Sequence, residues 1–511
     1  MTPSATRDGP PPAAAPARGA RDAITLLLLA ALLVLTVGPP LAARYPPILD
    51  LAQQAAQVRL FDRALEDPDG LYRIQWSGPN KLSYPILAAA LAIGGASWGP
   101  RLGLIACAAL FVAAIVVLGR RFRRPPEHAA LAAVFLYSGS YYGGFLNFVV
   151  GAAAFAWWLI EQAELPERPD RRAWLRLTLA AVALYLCHAL WLAAAGFALL
   201  VAGSRRAWRR PVGVGLLALA PFVLATAFWY ASLADTRWSA GLRYDSTPWQ
   251  RLARVELWST FPLGGLRGPW EPALELAVLA WAVFCLRPSN RRRGDSDRWL
   301  ARLALGFALL SPLLPDAVGD TAILDHRWAP WAVILGLLAL PPPGLPRRWA
   351  ALAPLVLIVA HTVVTARVWR AFDREEMAGF ASALAAVPDG ARLLELDFAR
   401  WSPRFWAPPT YHAAAYAQLV RDVTIGYSFA GVPSSLVVFR EGDWPWPWTR
   451  GLEHHPEQLA PTDLDHFDFV LLHAAEPMQR AIARHTGRLE PVTGAESWRL
   501  HRVMPAARAP V

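Results

Sequence analysis

Charged residues are scarce in this chain. Asp, Glu, Lys and Arg make up only 17% of its 511 residues, whereas hydrophobic residues make up 55%. Soluble domains are on average about 25% charged, so this balance argues against a soluble protein and indicates one that crosses a membrane several times. The 24 tryptophans agree with this interpretation, because indole rings favour the membrane–water interface.

Cysteine and lysine are also rare. The three cysteines, Cys107, Cys187 and Cys285, all lie in apolar runs, so the sequence predicts neither a disulfide framework nor a cysteine-based metal site. Lys81 is the single lysine, and nearly every positive charge is therefore an arginine. The arginines cluster in short loops between apolar runs, where the positive-inside rule explains them better than nucleic-acid binding does.

Apolar runs of roughly membrane-spanning length, about 20 residues, recur along the chain. They lie near residues 24–43, 101–119, 128–143, 145–161, 174–188, 189–204, 211–231, 270–286, 299–315, 329–341 and 349–368. With about eleven spans and a disordered cytoplasmic N-terminus over 1–22, every arginine cluster falls on the cytoplasmic side. The count closes if Leu82–Ser97 lies along the interface; the alternative is that it crosses and a re-entrant hairpin compensates.

This topology predicts two parts. Residues 23–369 form a polytopic all-α transmembrane domain, with exoplasmic loops at 44–98, 232–268 and 315–328. Residues 370–511 form an exoplasmic α/β domain of ordinary size. Within it the pattern predicts strands at Arg392–Asp397, Ser435–Phe439 and Phe467–His473, and helices at Thr410–Leu419 and Glu476–His485.

The predicted spans hold almost no charged side chains. Glu275 and Arg302 lie near span ends, where long side chains reach the interface. Ion-coupled or proton-coupled transporters usually need charged groups at mid-membrane, where each costs roughly 2.5–3.5 kcal/mol on insertion scales. The scarcity of such groups argues against transport.

Charged side chains gather instead in the predicted exoplasmic loops. Asp50 follows the first span, Arg237 lies in the middle loop, and Asp325, His326 and Arg327 precede the tenth span. An acid that can deprotonate a hydroxyl, with arginines that can hold a phosphate, supplies the chemistry for sugar transfer from a lipid-phosphate donor. The alternative for such charges is a solvated surface.

Two uncharged polar residues, His188 and Asn147, lie at or near the outer ends of predicted spans. They are either ligands of the same site or polar residues packed between helices. The sequence leaves both interpretations open.

Short segments of the membrane domain form a recognisable series: Asn80–Leu87 (NKLSYPIL), Arg101–Gly103 (RLG), Leu118–Arg121 (LGRR), Gly143–Phe148 (GGFLNF) and Leu324–Trp328 (LDHRW). With an acid in the first exoplasmic loop, this series resembles an uncharacterised branch of the bacterial GT-C-fold glycosyltransferases, which move sugars from polyprenyl-phosphate donors. The resemblance covers about residues 24–370.

The resemblance implies a multi-pass protein of the bacterial inner membrane that works in cell-envelope glycan assembly. Its partners would be a polyprenyl-phosphate-linked sugar donor, a glycolipid or polysaccharide acceptor, and membrane lipids. Asp50 would orient or deprotonate the acceptor hydroxyl, and Arg327 and Arg237 would hold the donor phosphate. The sequence supports no cofactor, although a divalent metal stays open.

The chain departs from this family at two places. Some relatives read Asp-Leu-Pro-x-His where this chain has Asp50 to Gln54, and glutamine can hydrogen-bond but cannot act as a base. Many active members carry a second acid in the next exoplasmic turn, whereas Ser138–Gly143 has none. The leading hypothesis is therefore a GT-C-type glycosyltransferase; the alternatives are an inactive scaffold of the same fold or a flippase of lipid-linked glycans.

Overall fold

The computed structural model describes residues 18–166, 168–203, 209–232, 242–244, 247, 249–250, 262–287, 294–318, 321–440, 448–493 and 496–505. The α-helices within these residues are α1 (Arg18–Ala42), α2 (Leu51–Glu66), α3 (Ser83–Arg121), α4 (Pro126–Ala133), α5 (Gly139–Tyr142), α6 (Leu146–Glu164), α7 (Arg171–Cys187), α8 (Ala189–Gly203), α9 (Arg209–Ala231), α10 (Trp270–Cys285), α11 (Asp295–Leu310), α12 (Ala329–Ala339), α13 (Arg347–Glu375), α14 (Phe380–Ala385), α15 (Ala415–Val420) and α16 (Glu476–Thr486). The apolar runs thus form helices, and the fold is that of a membrane protein.

Within the described part of the chain, five helices are long and apolar enough to cross a membrane: Ala23–Ala42, Ser83–Arg121, Leu146–Glu164, Pro211–Ala231 and Arg347–Glu375. The other predicted spans are also helical but shorter. The run at 128–143 is not one helix, because α4 gives way to a 3₁₀ turn at Val134–Tyr137 and then to α5. The expected count of about eleven spans therefore stays a prediction.

Helix α3 is two helices joined by a sharp reversal at Gly95. Gly95 has φ 59° and ψ −168°, a conformation that glycine adopts without steric cost. The halves fold against each other, because a Cβ placed on Gly103 would lie 2.5 Å from Cδ2 of Leu87. In a straight helix these two positions would be ~24 Å apart. The chain therefore turns back on itself at Gly95.

The strands of the described residues are short: β1 (Tyr72–Ile74), β2 (Leu242–Arg243), β3 (Ala317–Val318), β4 (Thr321–Ala322), β5 (Arg392–Asp397), β6 (Thr424–Ile425), β7 (Val437–Phe439), β8 (Phe469–His473), β9 (Leu489–Pro491) and β10 (Trp498–Val503). Five of them form a sheet in the order β6-β5-β8-β10-β9. Strand β5 runs parallel to β6 and β8, whereas β10 runs antiparallel to β8 and β9. The predicted C-terminal α/β fold is present.

The two faces of this sheet are both buried. Leu393 of β5 and Leu471 of β8 belong to the main core, which continues into the membrane helices. Their neighbours Leu394 and Val470 point to a second core on the opposite face. Strand side chains alternate between faces, so the near-continuous apolar runs of β5 and β8 match a sheet covered on both sides.

One prediction for the C-terminal domain is wrong, and one predicted strand is present but pairs outside the C-terminal sheet. Thr410–Leu419 is not one helix: the chain runs through turns as far as Ala414, and α15 begins at Ala415. The side chains of β5 hold these turns, since the Ala414 N–H donates to the Glu395 carboxyl group (2.9 Å). The strand expected at Ser435–Phe439 is β7, and it pairs with β1 of the first loop rather than with the C-terminal sheet.

The first loop and the C-terminal domain are joined along this β1–β7 ladder. Helix α2 also packs against α15, and its polar side chains bind the C-terminal backbone. Gln53 accepts from the Phe429 N–H (3.0 Å) and donates to the Tyr427 carbonyl (3.0 Å), and Gln57 accepts from the Val437 N–H (2.7 Å). Buried amide groups need such partners, so these contacts fix one segment against the other.

Candidate active site

Asp50 is the N-cap residue of α2, yet its carboxylate does not cap the helix. An Asp at this position usually accepts from a backbone N–H of the first turn. Here Oδ1 lies 3.1 Å from Nδ1 of His412, a residue of the C-terminal domain. The Asp50 side chain keeps 12% of its surface exposed, and that of His412 keeps 5%. The carboxylate is thus held by a histidine on a side chain that is mostly, but not fully, buried.

His412 sits in an aromatic pocket. Its ring stacks on Tyr427 (centroids 5.0 Å apart, planes at 18°) and contacts Tyr411 and Phe429 at 4.8 and 5.4 Å. Its Nε2 is buried without a hydrogen-bond partner among the described residues. Sequence reasoning misses this residue, because it lies within Thr410–Leu419, where the pattern predicts a helix; the preceding pair Pro408-Pro409 is the signal that favours a turn.

A tight turn at residues 142–144 packs against the backbone of Asp50. The Leu49 N–H donates to the Tyr142 carbonyl (2.9 Å). Gly144 has φ 75°, and a Cβ added there would lie 2.7 Å from the Asp50 nitrogen. Gln54 donates its amide N–H to the Gly144 carbonyl. The glutamine that replaces the expected histidine therefore anchors this turn.

Arg327 is buried between Phe145 and Phe148, which follow this turn, and His188, the C-cap residue of helix α7. Its guanidinium carbon lies 4.0 Å from the ring centroid of Phe145 and 5.3 Å from that of Phe148, and Nη1 is 3.4 Å from Nε2 of His188. Burial lowers the pKa of Arg327 to about 9, and the negative charge of Asp50 opposes this shift. Arg327 therefore remains a cation at neutral pH and interacts electrostatically with Asp50.

The turn that lacks an acid lies beside this arginine. Ser138 and Ser140 line a small gap together with Arg327 and Phe148. Two hydroxyl groups and a guanidinium therefore lie close together in this corner. In the turn Ser138–Gly143, where many active family members carry a second acid, this chain has serine hydroxyl groups instead.

Asn147 holds the chain segment before α3. Its Oδ1 accepts from the Ser83 N–H (2.8 Å), and its Nδ2 donates to the Asn80 carbonyl (2.9 Å). Lys81, between them, donates to the carbonyls of Ser435 (2.7 Å) and Ser434 (3.3 Å). Burial lowers the pKa of Lys81 to about 8. Both the oxygen and the nitrogen of the Asn147 side-chain amide thus bind the protein backbone.

Two further predicted residues, Asp325 and His326, contact each other. Asp325 is buried and pairs with the half-exposed His326 (Oδ2 to Nε2, 3.2 Å), and its carbonyl accepts from the Ser311 hydroxyl. Arg237 lies outside the described residues. Across the described residues, no three His, Cys, Asp or Glu side chains are grouped so that they could hold a metal ion.

The segment 144–148 brings the predicted residues together. Gly144 binds Gln54 and packs on Asp50, Phe145 covers Arg327, Asn147 fixes the start of α3, and Phe148 contacts His188 (centroids 5.8 Å). A carboxylate that can accept a proton and a buried cation that can face an anion thus share one locality. Such a pair suits a reaction in which a hydroxyl is deprotonated and an anionic group leaves.

These features define a class of fold: a bundle of apolar helices whose first extramembrane loop is joined to a C-terminal α/β domain. The same fold occurs in ArnT from Cupriavidus metallidurans, a GT-C glycosyltransferase. Its crystal structure bound to undecaprenyl phosphate matches this chain with a TM-score of 0.55 at 12% identity, covering 96% of this chain and 100% of ArnT. Its apo structure matches with a TM-score of 0.55 at 13% identity, covering 94% and 98%.

At these identities the likeness extends to the fold. No family model matches the sequence, and no curated protein does either. The GT-C-like architecture expected from short sequence segments is therefore confirmed by structural comparison, without support for the particular branch.

Proposed function

We propose that this protein is an integral membrane glycosyltransferase that takes a sugar from a polyprenyl-phosphate donor and passes it to an exoplasmic acceptor. The acceptor would be a glycolipid or a polysaccharide of the cell envelope. The bacterial inner membrane, with the N-terminus in the cytoplasm and the C-terminal domain outside, is the corresponding location. We propose no resident cofactor.

The observation that carries this proposal is the position of Asp50 within an ArnT-like fold. Its carboxylate is free of its capping role, partly exposed, and electrostatically linked to the buried cation Arg327. The ArnT structure with this fold contains undecaprenyl phosphate. A polyprenyl-phosphate donor has an apolar tail for the helices and an anionic head for an arginine.

The proposed reaction is a displacement at the anomeric carbon of the donor sugar. The acceptor oxygen forms a bond to that carbon while the bond from the carbon to the donor phosphate oxygen breaks. The Asp50 carboxylate accepts the proton of the acceptor hydroxyl, and the polyprenyl phosphate leaves with the bonding electron pair. Arg327 stabilises the negative charge on this leaving group.

Replacing the acid tests the proposal directly. Asp50→Asn keeps the size and hydrogen bonding of the side chain but removes its basicity, so transfer should fall by about 10²–10⁴-fold. The measurement uses purified protein in lipid nanodiscs, a panel of radiolabelled polyprenyl-phosphate sugars, and extracted envelope glycolipids as acceptors. The matched control is Asp62→Asn, which removes a half-exposed acid of the same helix.

Two results would contradict the proposal. Full transfer by Asp50→Asn would remove Asp50 from the site. Wild-type protein that neither transfers sugar nor binds undecaprenyl phosphate, yet co-purifies with an envelope-assembly partner, would instead support the inactive scaffold, which the acid-free turn at Ser138–Gly143 first suggested.

A further inference from the structure

The geometry points to a role for the C-terminal domain inside the candidate active site: His412 is a positioning residue that orients the Asp50 carboxylate. This inference rests on the proposed function and names a second group required for it. Where some relatives of the GT-C family have a histidine, this chain has Gln54. In this chain the histidine next to the acid is His412, from a different part of the chain.

The hydrogen bond between the two side chains has a defined direction. A carboxylate can only accept, so Nδ1 of His412 donates to Oδ1 of Asp50 across 3.1 Å. In the neutral imidazole this leaves a lone pair on Nε2, which is buried without a hydrogen-bond partner among the described residues. Of the two neutral tautomers, only the one with its proton on Nδ1 makes the bond to Asp50.

Burial separates the tasks of the two residues. The His412 ring is enclosed by Tyr411, Tyr427 and Phe429, and its Nε2 is sealed from solvent. The Asp50 side chain retains more exposed surface than that of His412, 12% against 5%. Asp50 is thus the group that can touch an acceptor hydroxyl. His412 acts through Asp50, because its bond fixes one carboxylate oxygen and leaves the other to take the proton.

The turn that carries His412 is fastened at both ends by acids of β5. Thr410 donates its hydroxyl to Oδ2 of Asp397 (2.7 Å), and Ala414 donates its N–H to Glu395 (2.9 Å). His473 of β8 donates to the other oxygen of Asp397 (2.7 Å). Asp397 and His473 end neighbouring parallel strands, so the sheet itself sets where the turn lies.

This arrangement makes the candidate site a product of two distant chain segments. Residues 50 and 412 meet because Gln53 and Gln57 bind the C-terminal backbone and because β1 pairs with β7. A side chain delivered by a rigid support loses little conformational freedom on orienting its partner. The C-terminal domain therefore does more than cover the site.

The test compares three replacements of His412 in full-length protein in nanodiscs. His412→Ala removes the donor and should lower kcat at least about tenfold, with the KM for the donor lipid within about threefold, because Asp50 rather than His412 meets the substrate. His412→Asn places an amide N–H where Nδ1 was and should restore most of kcat. His412→Phe fills the pocket without a donor and should behave like His412→Ala.

A second variant tests the fastening of the turn. Thr410→Val should lower kcat in the same direction, Thr410→Ser should not, and Thr410→Val should add little in the His412→Ala background because both act through one contact. Full kcat in His412→Ala and His412→Phe, with Asp50→Asn inactive, would overturn this inference and leave the proposed function standing.

A spectroscopic measurement keeps the inference testable without activity. In protein labelled with ¹⁵N-histidine, the His412 signals, assigned by their loss in His412→Asn, should show a protonated Nδ1. Asp50→Asn should shift the Nδ1 resonance, whereas Asp62→Asn should leave it unchanged. A His412 signal with its only proton on Nε2, or one that ignores Asp50→Asn, would contradict the hydrogen bond.

Discussion

Arg327 is a buried cation packed on the ring faces of Phe145 and Phe148, and its pKa is lowered by that burial. Burying a charge costs several kcal/mol, and a hydrophobic residue at such a place often stabilises a fold better. The proposed function gives this cation a task other than stability. The donor phosphate is the anion that the proposed reaction would bring to it.

Replacing this arginine should separate binding from stability. Arg327→Gln should weaken binding of undecaprenyl phosphate at least about tenfold, since a hydrogen bond to a charged group contributes about 1.5–3 kcal/mol. The unfolding temperature should stay the same or rise. Native mass spectrometry gives the lipid affinity, and a thermal unfolding scan gives the stability.

The control for this experiment is Arg348→Gln, which removes an exposed arginine at the start of α13. It should leave both quantities unchanged. Undiminished lipid binding by Arg327→Gln together with a lower unfolding temperature would show that Arg327 serves the fold alone.

Residue type explains why some members of the site could be predicted and others could not. Asp50 and Arg327 stand out because charged side chains are scarce in this chain, so each one in an outer loop attracts a functional interpretation. His412 is paired with Asp50 across 362 positions. Nothing local marks such a partner, and its turn is held by side chains of β5 that the sequence could place only in a strand.

At the scale of elements, the N-terminus of α2 depends on the turn between α5 and α6. Gly144 approaches the Asp50 backbone so closely that only a residue without Cβ fits, and its positive φ favours glycine independently. The turn thereby fixes the position of the Asp50 backbone. Its sequence, with two adjacent glycines, is part of the segment that resembled the GT-C family.

Gly144→Ala should therefore impair the site through Asp50. The added Cβ would push on the Asp50 nitrogen, and a non-glycine residue at this φ costs of order 1–3 kcal/mol. Transfer should fall at least about tenfold and the unfolding temperature should drop. In the matched variant Gly139→Ala, at the start of α5, the added Cβ would lie 3.8 Å from the Gly264 carbonyl, an ordinary contact, so activity should be retained. Equal activity of the two alanine variants would refute this dependence.

Helices were easier to predict than strands for a physical reason. A long apolar run satisfies its own backbone hydrogen bonds as a helix wherever it lies, so hydropathy alone locates α6 and α9 within about three residues. It also finds α1 and α13, although it misses the polar start of α1 and the polar end of α13. A three-residue strand such as β7 needs a partner, and its partner β1 lies in the first loop. The pattern could predict that β7 is extended but not what it pairs with.

At the scale of the whole molecule, hydropathy was enough to predict a helical membrane part followed by an α/β part. It could not predict that the two are joined through the first loop. The joint consists of the β1–β7 ladder, the side chains of Gln53 and Gln57, and Lys81 bound to the carbonyls of Ser434 and Ser435. Gln53 and Gln57 belong to α2, the helix that begins after Asp50. Their contacts therefore hold the C-terminal domain where His412 reaches the acid.

A covalent lock across the joint tests whether the domain must move. In the ladder, Ile74 faces Val437. The flanking bonds from the Gln75 N–H to the Leu436 carbonyl and from the Arg440 N–H to the Leu71 carbonyl make Ile74–Val437 a non-hydrogen-bonded pair. The Cα atoms of such pairs are about 4.5 Å apart, within disulfide range. Ile74→Cys with Val437→Cys should therefore cross-link under mild oxidation.

The cross-linked protein should keep its transfer activity within about twofold. The hydrogen bond between Asp50 and His412 is already formed in the structure without substrate, so no domain movement is needed to make it. Ile74→Cys with Phe439→Cys, two residues out of register, should not cross-link and controls for the cysteines themselves. The natural cysteines are buried and should not form competing disulfides in this assay. If the domain instead acted as a lid that opens at each turnover, oxidation would abolish transfer and reduction would restore it, and His412 would have to leave Asp50 in every cycle.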